Sequence, residues 1–193
     1  MKNKIVAILL VVFLCLSSFF LGFLINVKHK SYDFNNVVSI SENTTNKYPF
    51  LENSLSSYIC ELSAELNLDS DLVVAILLVE NPEFDENATH KNENGSVDCG
   101  LFQLNDRFLW TSFKNDYWFS NLELEPFNWK HNTYIALHHL QFLQKKLKTQ
   151  DDVILAYNCG ITRVMKNNIP NKSKKYLAEV KNNITLLKSE HKE

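Results

Sequence analysis

Glycine and proline are scarce in this chain, with four of each in 193 residues. That scarcity excludes a collagenous chain and a disordered chain rich in proline and glycine. No run of Lys and Arg exceeds three residues and the formal net charge is −2, so we expect no nucleic-acid partner. His131, His138 and His139 have no Cys/His/Asp pattern at ligand spacing, and we predict neither a metal nor another cofactor.

One long apolar run is present near the start of the chain. Residues 5–25 carry no charge, and at about 1.5 Å per residue such a helix spans the hydrocarbon core of a bilayer. A cleaved signal peptide has a shorter apolar core of about 7–15 residues and a small-x-small site, and neither is found here. We therefore predict an uncleaved membrane anchor over residues 1–25, through which the chain contacts the cytoplasmic membrane.

The rest of the chain divides by composition. Residues 26–50 are polar and lack periodicity, which predicts a linker. A folded domain is predicted over residues 51–187, followed by a polar tail over residues 188–193. The length suits one domain of about 100–150 residues with an appendage.

Helical periodicity dominates the predicted domain. Apolar residues at helical spacing predict a helix from Leu55 to Leu66. Asp69 or Ser70 can cap a second helix. Because this second helix is apolar on all sides, it is predicted to lie in the core. Further helices are predicted over residues 129–147 and 151–158, and Gly160 ends the second of these. A last helix is predicted to begin after a cap at Ser173. No stretch alternates with period two, so the predicted class is all-α or nearly so.

Glu80 ends the most hydrophobic helix, which is an unusual place for a carboxylate. Burial raises a carboxyl pKa, and the negative end of the helix dipole raises it further. The plain interpretation is a solvent-exposed residue at a helix end or a partner for a lysine. The functional interpretation is a general acid that stays protonated near neutral pH, as cleavage of a glycosidic bond requires.

Two downstream segments favour the functional interpretation, namely Gly95-Ser96-Val97-Asp98-Cys99-Gly100-Leu101-Phe102-Gln103-Leu104-Asn105 and Ala156-Tyr157-Asn158-Cys159-Gly160. With Glu80 before them, and with Pro126 and Asn132 between them, they resemble in order and spacing the lysozyme-like lytic transglycosylases. This group contains the soluble lytic transglycosylases and the goose-type lysozymes. The form of the first segment is closest to the enzymes of secretion and conjugation systems.

The resemblance implies a single helical, lysozyme-like domain with a buried central helix, and an enzyme that cleaves the MurNAc-GlcNAc β-1,4 bond of peptidoglycan. Glu80 corresponds to the catalytic acid, which acts alone and leaves 1,6-anhydromuramic ends. The substrate-binding residues it implies are Asn81, Gln103, Asn105, Tyr157 and Asn158. Asn81 stands where the family usually has Ser, and Glu125 stands where it has Asp before Pro126.

Three alternatives remain open at this point. In a muramidase, Asp98 is the candidate second carboxylate beside Glu80, although a turn-capping role after Gly95 is the simpler expectation for it. A non-catalytic glycan-binding component of an envelope-spanning machine is the second alternative. The third is an unrelated helical adaptor, in which Glu80, Gln103 and Tyr157 lie far apart.

The compartment follows from the substrate. Because peptidoglycan lies outside the cytoplasmic membrane, we expect the domain on the periplasmic side of the bacterial cell envelope, with a secretion, conjugation or flagellar apparatus as a candidate partner. A disulfide between Cys99 and Cys159 is compatible with that location, and a pair of buried thiols is the alternative. The aromatic stretch from Trp110 to Phe119 is a candidate sugar-stacking surface or part of the core.

Overall fold

The computed structural model describes residues 46–110 and 124–191. In chain order its helices are α1 (Asn53–Leu66), α2 (Ser70–Glu80), α3 (Trp129–Lys146), α4 (Gln150–Cys159), α5 (Ile161–Met165) and α6 (Asn171–Glu190). Between α2 and α3 lie the strands β1 (Thr89–Lys91), β2 (Val97–Cys99) and β3 (Leu104–Asn105), followed by a five-residue π-helical segment, Asp106–Trp110. Within the described residues, no helix is both long and apolar enough to cross a membrane. The predicted anchor lies outside them.

The central helix is α2, as its apolar sequence predicts. The Asp69 side chain caps it by accepting a hydrogen bond from the backbone N–H of Asp71 at 3.0 Å. Residues 72–77 are all buried, and α2 packs against both α1 and α6. Burial of so many branched side chains stabilises the core by about 1.5–3 kcal/mol for each side chain. The position of Glu80 is therefore rigidly set by the core helix that it ends.

The domain is mostly helical, in agreement with the predicted class, and it also contains a small antiparallel sheet. The strand order is β1-β2-β3, with His90 paired to Asp98 and Asp98 paired to Asn105. A turn at Asn94-Gly95 closes the β1–β2 hairpin, and Gly95 has φ +77°. Strands of two or three residues are too short for a period of two to be visible in the sequence.

The last helix begins differently from its prediction. Pro170 is the N-cap of α6 and makes no side-chain capping bond, whereas Ser173 lies inside the helix and is buried. Its hydroxyl donates to Oδ1 of Asn158 at 2.7 Å, so it joins α6 to α4 and caps no helix. One side of α6 is buried and carries Tyr176, Val180, Ile184 and Leu187.

The folded part starts before the predicted boundary. Tyr48 is fully buried, and its hydroxyl donates to Oδ1 of Asp71 at 2.7 Å. The same carboxylate receives Lys47 Nζ at 2.9 Å and lies 3.3 Å from His191 Nε2. These bonds join Lys47 and Tyr48, and His191 at the end of α6, to the start of α2. The segment from Asn46 to Phe50 therefore belongs to the domain and not to the linker.

Candidate active site

The carboxyl group of Glu80 lies at the end of α2 between two other structural elements. Tyr176 of α6 donates a hydrogen bond from its hydroxyl to Oε1 of Glu80 at 2.6 Å. Burial raises the pKa of Glu80 to about 7, the Tyr176 bond opposes that rise, and the negative charge of Asp98 adds to it. A carboxyl with this pKa is protonated in part of the population at neutral pH.

Two tyrosines close to this carboxyl remain protonated. Burial raises the pKa of Tyr176 well above its ordinary value, and the charge of Glu80 raises it further. Burial likewise raises the pKa of Tyr157, and the charges of Glu80 and Asp98 add to the effect. A phenol that does not ionise is an obligate hydrogen-bond donor toward a carboxylate. Tyr176 can therefore hold one oxygen of Glu80 and leave the other for chemistry.

Tyr157 joins the two downstream segments identified in the sequence. Its hydroxyl donates to the backbone carbonyl of Phe102 at 3.0 Å, next to Gln103. Because the phenol of Tyr157 also senses the charge of Glu80, the acid, the Gln103 segment and the Tyr157 segment belong to one site. This arrangement contradicts the adaptor alternative, which requires the three residues to be far apart.

Asn132 of α3 fixes the turn that carries Gly100 and Gln103. Its side-chain amide donates to the carbonyls of Cys99 and Pro126, both at 2.9 Å, and its oxygen accepts the backbone N–H of Phe102 at 2.9 Å. Gly100 has φ +73°, and a Cβ there would lie 2.6 Å from the carbonyl oxygen of Pro126. Asn132 and Gly100 thus work together to shape this side of the site.

Gln103 is held in place by the backbone around it. Its amide nitrogen donates to the carbonyls of Gly100 at 2.8 Å and Ala88 at 3.2 Å. The residue has φ +46°, a conformation that non-glycine residues seldom adopt and that clusters at functional sites. The predicted contact of Gln103 with substrate remains a prediction, and its amide also has a structural role.

Asp98 lies in β2, where two amides hold its carboxylate. Asn92 Nδ2 donates to Oδ2 at 2.9 Å, and Asn105 Nδ2 donates to Oδ1 at 2.7 Å. The expected turn-capping role is wrong, because Asn94 caps the turn by accepting the backbone N–H of Ser96 at 3.0 Å. Asn105 also donates to Ser96 Oγ at 2.9 Å, so its amide is engaged with the sheet.

Asn81 and Asn158 have partners within the protein. Asn81 is only 4% exposed, and its amide closes the following loop through the carbonyl of Asp85 at 2.7 Å and the N–H of Asp85 at 3.1 Å. The predicted contact of Asn81 with substrate remains a prediction, and its amide has a structural role in this loop. Asn158 is exposed and accepts the hydroxyl of Ser173.

Of the two alternatives for Cys99 and Cys159, a disulfide or a pair of thiols, the structure has the thiols. Cys99 and Cys159 are both free cysteines, and Cys99 Sγ lies 3.9 Å from the carbonyl oxygen of its own-strand neighbour Val97. The two segments are instead connected by the hydrogen bond from Tyr157 to Phe102. That bond gives the link for which the disulfide was proposed.

Two further expectations concern metal binding and aromatic stacking. Across residues 46–110 and 124–191, no group of three or more His, Cys, Asp or Glu side chains could hold a metal ion. Burial lowers the pKa of His139 to about 4, so its ring is neutral at pH 7, and it lies 5.8 Å from the ring of Tyr157. Most of the aromatic stretch from Trp110 to Phe119 lies outside the described residues.

The family model for the transglycosylase SLT domain matches residues 57–180 of the chain. The chain belongs to the transglycosylase SLT domain family. No curated protein and no solved structure gives a significant match. The matched range contains Glu80, Gln103, Asn132, Tyr157 and Tyr176, so the site described above lies entirely inside the transglycosylase SLT domain. The family supports a lysozyme-like function that acts on peptidoglycan.

Sequence reasoning missed two residues of this SLT site as functional. Tyr176 received no functional role, although a tyrosine buried on an apolar helix face needs a partner for its hydroxyl. Ser173 was assigned as a cap, although a serine one turn before a buried tyrosine shares its face. A polar atom on an otherwise apolar helix face was the available signal in both cases.

Proposed function

We propose that this protein is a peptidoglycan lytic transglycosylase that cleaves the MurNAc-GlcNAc β-1,4 bond with Glu80 as its single catalytic residue. The observation that carries the proposal is the environment of Glu80. Its carboxyl ends a buried helix, has a pKa raised to about 7 by burial, and accepts a hydrogen bond from the Tyr176 hydroxyl on Oε1 at 2.6 Å. A general acid works best when its pKa lies near the working pH.

The first step follows from this hydrogen bond. Since Tyr176 donates to Oε1, the proton of the neutral carboxyl resides on Oε2, from which it passes to the glycosidic oxygen. The bond between that oxygen and C1 of MurNAc breaks, and GlcNAc leaves as an alcohol. The substrate's own N-acetyl group assists at C1, so no protein nucleophile is needed.

In the second step the same side chain acts as a base. The carboxylate of Glu80 removes the proton of the MurNAc C6 hydroxyl, and O6 bonds to C1 to give the 1,6-anhydro end. Glu80 is returned to its protonated form, and no water is consumed. A pKa near 7 suits both steps, because a carboxyl with a lower pKa is a weaker base in the second step and one with a higher pKa is a weaker acid in the first.

The muramidase alternative requires Asp98 to act as a nucleophile or charge stabiliser. Amides of Asn92 and Asn105 occupy both of its oxygens, at 2.9 and 2.7 Å, which lowers the nucleophilicity of the carboxylate. This favours catalysis by one carboxyl group. The non-catalytic alternative is disfavoured because a binding protein has no need of a carboxyl held near neutrality.

Product analysis of purified peptidoglycan tests the proposal directly. We expect the wild-type protein to release ends that lack one water relative to reducing ends, as mass spectrometry resolves. Glu80→Gln is expected to lower turnover by at least about 1,000-fold, since proton transfer is lost at both steps. Reducing ends would identify a muramidase, and no release by the wild type would identify a binding component.

We also propose that the enzyme works on the periplasmic side of the cytoplasmic membrane, held there by residues 5–25. The uncharged run of 21 residues and the location of peptidoglycan support this. A secretion, conjugation or flagellar apparatus is the proposed partner. Fractionation of cells that express the full chain tests the anchor, since carbonate extraction should leave an anchored protein with the membranes.

A further inference from the structure

The chain from Val153 to Ala178 is a basic segment. It contains Arg163, Lys166, Lys172, Lys174 and Lys175 and no acidic residue, and all five cationic side chains are exposed. The whole chain has 22 acidic and 20 basic residues. Outside this segment, which holds five of the basic residues, the 22 acidic residues face 15 basic ones. Positive charge is therefore concentrated locally on a chain that is negative overall.

The basic segment adjoins the candidate active site. It includes Tyr157, which senses the charge of Glu80, and Tyr176, which donates to it. Lys172 precedes Tyr176 by four residues and lies one helical turn away on α6, and Lys175 is its sequence neighbour. The Ser173 hydroxyl bonds Asn158 at 2.7 Å, which holds the start of α6 against the exposed end of α4.

Fold stability does not account for these charges. Cations at the start of a helix oppose the helix dipole, and the first turn of α6 holds no acidic residue to offset Lys172 and Lys174. Within the described part of the chain, neighbouring acids have other partners: Asp151 pairs with Lys181 at 2.9 Å, and Asp152 bonds Thr149. Glu179 bounds the segment on its far side.

We propose that the basic segment binds the carboxylates of the peptide stems on the glycan strand, which makes peptide-bearing strands the preferred substrate. This inference rests on the proposed function and adds a substrate class to it. The stems are anionic and branch from the muramic acid whose C1 bond is cleaved, so their carboxylates reach the surface around Glu80. Exposed ammonium and guanidinium groups match them in charge.

The test uses the full chain with Lys166, Lys172 and Lys175 all changed to Gln. None of the three is a residue assigned to catalysis or to sugar binding. The matched control changes Lys145, Lys146 and Lys148 to Gln, three exposed lysines outside the segment. Substrates are uncross-linked strands with intact stems, and the same strands after an amidase has removed the stems. The amidase cleaves the amide between the lactyl group and the stem, so each muramic acid of a stripped strand carries one free lactyl carboxylate in place of the stem carboxylates.

We expect the first triple variant to raise KM on peptide-bearing strands by about 10-fold, since each exposed ion pair contributes a factor of about 1.5 to 5. KM on stripped strands should change by less than about twofold, and the control variant should match the wild type. The wild-type preference for peptide-bearing strands should also weaken as salt is raised.

Several outcomes overturn the inference. They are an equal change on both substrates, an equal change in the control variant, or an unchanged KM on peptide-bearing strands. Loss of binding to vesicles of anionic phospholipid with unchanged KM would assign the segment to the membrane surface instead. If the wild type releases no products from either strand, the proposed function itself fails. Cleavage with unaltered KM refutes only the role of the basic segment.

Discussion

The hydroxyl of Tyr176 donates a 2.6 Å hydrogen bond to Oε1 of Glu80, joining residues that lie 96 positions apart in the chain. The bond lowers the pKa of the carboxyl, whereas burial raises it more strongly, and the balance lies at about 7. The same bond fixes the orientation of the carboxyl group, because the helix that ends with Glu80 and the helix that carries Tyr176 pack directly on each other.

Removing this hydroxyl should change the pH dependence of activity. In Tyr176→Phe the carboxylate loses a donor, so the pKa of Glu80 rises and the alkaline limb of the kcat/KM profile moves up by about one pH unit. We also expect kcat to fall by about 10-fold, since the carboxyl is less well oriented. Tyr48→Phe is the matched control, because it removes a buried tyrosine hydroxyl bonded to Asp71, at the start of α2. A profile identical to that of the wild type would contradict the role of Tyr176.

Glu80 should reduce the stability of the fold at alkaline pH. Its folded pKa is raised from 4.5 to about 7, so the favourable proton binding is fully present below pH 4.5 and is lost as the pH rises through 7. Glu80→Gln should therefore match the wild type near pH 4 and exceed it by about 3 kcal/mol in free energy of unfolding at pH 8. Urea titrations at the two pH values measure this difference. Equal stability at pH 8 would show that the carboxyl is well solvated.

Asp98 should tune the acid electrostatically. Its negative charge raises the pKa of Glu80, so Asp98→Asn should move the alkaline limb of the kcat/KM profile to lower pH. Anhydro ends should still form. Asp106→Asn is the comparison, because it also removes an acidic side chain beside this sheet, one that accepts the backbone N–H of Val97. A complete loss of turnover in a folded Asp98→Asn protein would instead favour the two-carboxylate mechanism.

Asn132 should be among the residues most important for stability. Its fully buried side chain makes three hydrogen bonds of 2.9 Å, to Cys99, Pro126 and Phe102. Asn132→Ala leaves those backbone groups unpaired and should lower the free energy of unfolding by about 2–4 kcal/mol. Its neighbour Thr133 is an apt control, because among the described residues its buried hydroxyl has no hydrogen-bond partner. Thr133→Val should be neutral or stabilising, and a large loss there would contradict the assignment.

The Asp71 cluster should stabilise the domain at neutral pH. Burial alone raises the pKa of Asp71, but the bonds from Lys47 and Tyr48 and the charge of His191 outweigh it, so the net pKa is lowered. This stability is present above the ordinary carboxyl range and is lost as the pH falls through the folded pKa. Asp71→Asn should cost about 1–3 kcal/mol at pH 7, whereas the exposed Asp151→Asn should cost under about 0.5 kcal/mol. Chemical unfolding of both variants makes the comparison.

The structure also explains which sequence predictions were wrong. Ser173 and Asp98 were assigned by local rules for caps and turns, yet each has its partner on another segment: Asn158 for the first, and Asn92 and Asn105 for the second. Both side chains were given local roles because a partner on another segment cannot be read from the sequence.

Local signals in the sequence determined the longer helices, the Asp69 cap, the Gly160 stop and the placement of Glu80 at the end of a buried helix. Periodicity, caps and glycine stops act within a few residues, so they can be read without the fold. Only the tertiary structure decided that Tyr176 bonds to Glu80, that Asn132 holds the Gly100 turn and that the Asp98 carboxylate accepts hydrogen bonds from two amides. Those contacts join segments as much as 96 residues apart, and packing of whole helices and strands, not local preference, sets which side chains meet.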